Sequence, residues 1–212
     1  MSGAEAIAVL GVISSTISIV DTTKQVYDAA QDAQGLPEAF REVAARLPIV
    51  QNILGSAEQH IRNGNMDEAT CKVAKDVIED CKVKAKKLEE IFQKVIPADG
   101  ASRPERYLSA ARTIGKGGRV ETLMKGMLVD VQLLGINHGM TALTDTQRQE
   151  VTEAIRELAA LPPSIQEHGV EETGFTAIHS GSGSIYQAQR DLYTGGGPVY
   201  HAQSMSFGTN GK

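Results

Sequence analysis

Apolar residues return at helical spacing along most of the chain, and each run is closed by glycine or proline. Ile7, Leu10, Ile13, Ile17 and Val20 mark a first helix predicted over about 4–33. Gly11, Ser14, Ser15 and Ser18 add small-residue spacing that lets another helix approach closely, in lipid or in a protein core. Gly35 stops this run, and Pro37 opens a second helix predicted to about residue 62, with a bend or break at Pro48. The turn-forming RNGN at 62–65 leads to a long helix over 66–95. Its predicted apolar stripe is Val73, Val77, Cys81, Leu88, Ile91 and Val95, and its interleaved lysines and acids read as a solvated face. A short helix over 105–112, a GKGG turn and a helix over 120–140 follow. TDTQ at 144–147 has the spacing of a capping box and opens a last helix that ends near 160, before Pro162 and Pro163.

Beyond the two prolines the pattern changes character. Residues 1–160 hold 22 acidic and 19 basic side chains, whereas from Thr173 onward the charged residues are Arg190, Asp191 and Lys212. The segment is rich in Gly, Gln, Tyr and Ser, and it nearly repeats itself: Ile185-Tyr186-Gln187-Ala188-Gln189 returns fourteen residues later as Val199-Tyr200-His201-Ala202-Gln203. Strand alternation puts Ile185, Gln187 and Gln189 on one face and Tyr186 and Ala188 on the other, with Gly195, Gly196 and Gly197 supplying a turn between the copies. Such a hairpin is marginal alone. Stacked between identical chains it forms cross-β ladders, which uncharged Gln and aromatic rows favour. The predicted amyloid core comprises Ile185, Tyr186, Gln187, Ala188, Gln189, Gly195, Gly196, Gly197, Val199, Tyr200, Ala202, Gln203 and Phe207.

The predicted class is therefore all-α: a multi-helix bundle over 1–160, a linker over 161–173, and a disordered, amyloid-prone C-terminal tail over 174–212. A net charge of −5 argues against nucleic acid as a partner. Cys71 and Cys81 lie ten helical residues apart, roughly 15 Å, too far for a disulfide, so both are expected as free thiols of a reducing compartment. The stretch 6–20 carries no charge, yet it lacks the basic flank of a signal peptide and falls short of the ~20 residues that usually span a bilayer. It is expected to be buried at rest and apolar enough to enter a membrane on release.

Candidate chemistry is sparse. Ile114-Gly115-Lys116-Gly117-Gly118 matches the nucleotide-clamping loop of KH domains, but the helical pattern on both sides makes it an interhelical turn. No nucleophile elbow, zinc-protease motif or P-loop occurs, and the five histidines are scattered. The expectation is a protein that is not an enzyme, with no catalytic residues, cofactor or metal.

The N-terminal 55 residues, with their Gly- and Ser-studded first helix, DTTK exit (21–24), GLPEAF junction (35–40) and LPIV stretch (47–50), resemble the HeLo-like, SesA-type helical domain of fungal STAND receptors and their partner effectors. The likeness extends over roughly 1–160, and GSGSIYQAQ (181–189) and TGGGPVYHAQ (194–203) resemble the amyloid signalling motifs appended to such domains. The combination looks like the HELLP class of cell-death execution proteins, related to the HET-S effectors. There are no paired charged repeats of the HET-s kind and no Gln-Gly core of the RHIM kind; pseudo-palindromic and sigma-type motifs both fit. The resemblance implies a membrane-targeting, pore-forming effector whose tail is templated into amyloid by an NLR-like STAND receptor bearing a matching motif. It would be cytoplasmic when inactive and at the plasma membrane, on its lipids, when active. The membrane-active helix would present Ile7, Val9, Leu10, Gly11, Val12, Ile13, Ile17 and Ile19. The alternative is a non-toxic adaptor that assembles through the same tail in fungal immunity or heterokaryon incompatibility.

Overall fold

The structure, a computed structural model, describes residues 3–30, 35–64, 68–96, 102–115, 118–136 and 143–165. Contacts divide the chain into two units, Met1–Gln166 and Glu167–Lys212; every described residue belongs to the first. That unit is an all-α bundle: α1 (Gly3–Asp28), α2 (Glu38–Arg62), α3 (Glu68–Val95), α4 (Arg103–Ile114), α5 (Val120–Ile136) and α6 (Asp145–Ala160), with no strand among the described residues. The predicted tail lies outside them.

The buried face of α2 is a continuous stripe from Ala39 and Phe40 through Val43, Leu47, Val50 and Leu54 to Ile61. No break occurs at Pro48. Its missing amide forfeits one helical hydrogen bond, but Pro48 sits on the exposed side while Leu47 and Val50 beside it are fully buried and hold the helix in one piece. In α3 the stripe differs from the predicted one. Val73 is exposed and Val77 half-buried, while Cys81, Leu88, Ile91 and Val95 are buried as predicted; the core takes Cys71, Ala74, Ile78, Cys81, Ala85, Leu88, Phe92 and Val95, an alternation of threes and fours. That 3.5-residue period is the seam of closely packed, nearly parallel helices, where small Ala74 and Ala85 let the neighbours come near.

α2, α3 and α5 each pack on three helices, α5 on α2, α3 and α6, whereas α1 packs on α2 and α3 and on no other helix among the described residues. The helices around α5 are also tied by ion pairs. Arg46 reaches Glu42 at 2.7 Å and Glu157 at 2.6 Å, joining α2 to α6. Burial opposes the Arg46 charge, but the two carboxylates overcome it and hold its pKa above the ordinary value. Lys84 Nζ meets Asp130 at 2.7 Å between α3 and α5, its stem crossing Gly126, where a Cβ would lie only 2.9 Å from it. Cys71 and Cys81 are buried thiols outside any disulfide, and burial pushes the Cys81 thiol far up. Val73 owed its place in the predicted stripe to its side chain alone; the neighbours set the register instead.

Candidate functional site

Among the described residues, one helix combines spanning length and apolarity with a packing that uses only part of it. α1 has length and apolarity enough to cross a membrane over Ala4–Asp28, yet only 33% of its most apolar window is buried. Its inner face is Val9, Val12, Ile13, Thr16, Val20 and Thr23, all buried. Leu10, Ile17 and Ile19 are half-buried at the edges. Ile7 stands 70% exposed, and Gly11 is exposed as well. Of the predicted membrane-active set, then, Val9, Val12 and Ile13 are withdrawn into the bundle, three lie at the rim, and Ile7 and Gly11 face out.

The small residues do not serve as predicted within this domain. Gly11, Ser14 and Ser18 point outward, and a Cβ at Gly11 would meet nothing within 4 Å. No neighbouring helix uses that notch among the described residues; α2 and α3 approach the opposite face, through β-branched residues. Thr16 and Thr23 stay in that apolar face because each hydroxyl donates to the carbonyl four residues back, Val12 O and Ile19 O, at 2.8 Å. Near the C-terminal end polarity returns: Gln51 of α2 donates to Asp21, and Lys24 pairs with Asp28 one turn on.

The last turn of α1 also meets the aromatic core. Tyr27 lies 6.1 Å, centroid to centroid, from Phe92 of α3; Phe92 lies 5.0 Å from Phe40 of α2; Phe40 meets Tyr107 of α4 edge-on at 4.9 Å. These spacings suit tilted and edge-to-face ring pairs. Sequence reasoning missed this file because its four members are spread over eighty residues and four helices, with no local signal joining them.

The GKGG segment is a connector. Gly115 caps α4 with φ +82°, a conformation that favours glycine, and a Cβ at Gly118 would lie 2.6 Å from Ala111 O. Both glycines are therefore explained by the α4–α5 junction; Lys116 and Gly117 lie outside the described residues. The open groove beside α4 mixes Lys94 and Arg112 with Glu105 and Thr113, and it assembles no nucleophile with a base. No group of three His, Cys, Asp or Glu side chains comes together as a metal site among the described residues. The predicted amyloid core, Ile185 to Gln203 and Phe207, lies outside the described residues.

No curated protein and no solved structure matches this chain. A family does: residues 13–134, more than half of the chain and spanning α1 from Ile13 through α5 to Leu134, match SesA, described as the N-terminal domain on NACHT NTPases and P-loop NTPases. The chain belongs to the SesA family, the N-terminal domains of NLR-type signalling.

Proposed function

We propose that this chain is a cell-death effector without enzymatic activity, and that α1 is its membrane-active element. At rest it is cytoplasmic, with α1 held on α2 and α3. Residues 174–212 are the switch, templated into amyloid by a NACHT- or NLR-type receptor bearing a matching motif. Activated chains gather at the plasma membrane, α1 leaves the bundle, and the bilayer is breached.

The observation that carries this reading is the mismatch in α1 between spanning capacity and burial. Withdrawing Val9, Val12, Ile13 and Val20 into water costs roughly 1.5–3 kcal/mol each, so spontaneous release is rare. A bilayer returns most of that cost, and crowding on a fibril raises the local concentration of released helices. The test uses the full chain, seeded with fibres of a 174–212 peptide, beside dye-loaded vesicles of phosphatidylcholine and phosphatidylserine. Seeding should trigger dye release, and deleting residues 1–20 should abolish release while leaving fibre growth intact. Fibres without release would instead make the chain an adaptor, and a tail that never seeds would remove the switch.

A further inference from the structure

Ser164 stands immediately after Pro162 and Pro163 and three residues before the second unit begins. It does not hang loose there. Its N–H donates to Glu121 Oε1 at 3.1 Å and its hydroxyl to Glu121 Oε2 at 2.5 Å. The Tyr107 hydroxyl lies 2.6 Å from Ser164 Oγ and accepts the Val120 N–H at 3.1 Å. Because the Ser164 proton goes to the carboxylate, the Tyr107 proton goes to Ser164. Burial pushes Tyr107 up to about 12, so that proton stays in place at neutral pH.

Two consequences follow from the burial of these groups. Glu121 is only 7% exposed, and its nearest cation, Arg119 Nε, is 3.8 Å away. Withdrawing Ser164 removes two donors from a buried carboxylate, which is far costlier than losing a surface contact. Tyr107, in turn, is the last ring of the file that passes through Phe40 and Phe92 to Tyr27 on α1. Two residues separate Ser164 from the second unit, so a pull arising beyond Glu167 acts on Ser164 through a short length of chain, while Pro162 and Pro163 on its other side stiffen the link to α6.

We propose that Ser164, Glu121 and Tyr107 form a latch that keeps α1 seated, and that reordering of the chain beyond Glu167 opens it by withdrawing Ser164. What makes the tail reorder rests on the function proposed above; the latch itself is a property of the resting domain and is tested without membrane or fibre. Native-state hydrogen exchange on the full chain compares wild type with Ser164→Ala, Tyr107→Phe and the control Thr113→Ala, whose exposed hydroxyl bonds only its own helix. Amides in the last two turns of α1 should exchange about tenfold faster in the first two variants, the scale of a lost hydrogen bond to a charged group, and unchanged in the control. Acceleration confined to 118–121 and 162–165, or spread equally over all six helices, would overturn the latch. Dye release measured in parallel separates the two ideas. If Ser164→Ala loosens α1 but the seeded chain leaves vesicles intact, the latch stands and the membrane reading falls. If seeded wild type releases dye while α1 exchange is unmoved in both variants, the latch falls alone.

Discussion

α1 and α5 are both strongly apolar helices, and the bundle treats them in opposite ways. α5 spans 17 residues and is packed by three helices; Val120, Met124, Met127, Leu128 and Val131 are all sealed from solvent. α1 spans 26 residues and is packed by two, with Ile7 and a row of small residues left outside. Burial accounts for most of the apolarity of α5, with Val129 and Leu133 left exposed on its outer side. It accounts for only part of that of α1, and the surplus is what a second environment would explain.

The largest effect expected from breaking this contrast is in α5. Met127→Ala removes a fully buried side chain from α5 and should cost about 2–5 kcal/mol in urea unfolding. A loss below about 1 kcal/mol would mean that α5 is not packed as described. Ser14→Asp addresses the other side of the comparison. Ser14 is exposed, so folding stability should move by less than about 0.5 kcal/mol. The same carboxylate near the middle of the apolar stretch costs about 3 kcal/mol in a bilayer, so seeded dye release should drop about a hundredfold. Equal release from both proteins would mean that α1 does not insert. The smallest effect concerns Asp130, the buried acid of α5 that pairs with Lys84. Burial raises the Asp130 carboxyl above its ordinary value, against the pull of Lys84. A raised folded value favours the fold below the unfolded pKa, and that advantage fades as pH rises through the folded one. Asp130→Asn should therefore compare better with wild type at pH 7 than at pH 4; the opposite trend in paired urea titrations would show that Lys84 dominates.

What was legible in the sequence was local. The TDTQ box forms as read: Thr144 N donates to Gln147 Oε1 at 3.0 Å, and Gln147 N to Thr144 Oγ1 at 3.2 Å. The same signature stood at Ser102–Glu105 and went unused; Ser102 N and Oγ both donate to Glu105 Oε2, and α4 begins at Arg103, two residues before the predicted start. Fold class and family were also within reach, since helical spacing and the N-terminal small-residue pattern repeat over short windows. The register of α3 was not, because alanine carries little hydrophobic signal and only packing shows that Ala74, not Val73, faces in. Nor was the Tyr107–Ser164 contact, whose residues lie 57 apart with α5 and α6 between them. The exit of α1 was misplaced for a related reason: the helix ends at Asp28, where Lys24 and Asp28 pair, not near residue 33.

The buried threonines of α1 carry one more implication. A polar group that relies on a neighbouring helix must find a substitute whenever that neighbour is lost. Thr16 and Thr23 rely on none: their hydroxyls are spent on their own helix, as is that of Thr22 on Ser18 O. These three side chains are therefore portable, carrying their polar satisfaction with them from a protein interior to any other dry medium. The polar and aromatic ties of α1 to its neighbours, Asp21 to Gln51 and Tyr27 to Phe92, both lie toward its C-terminal end.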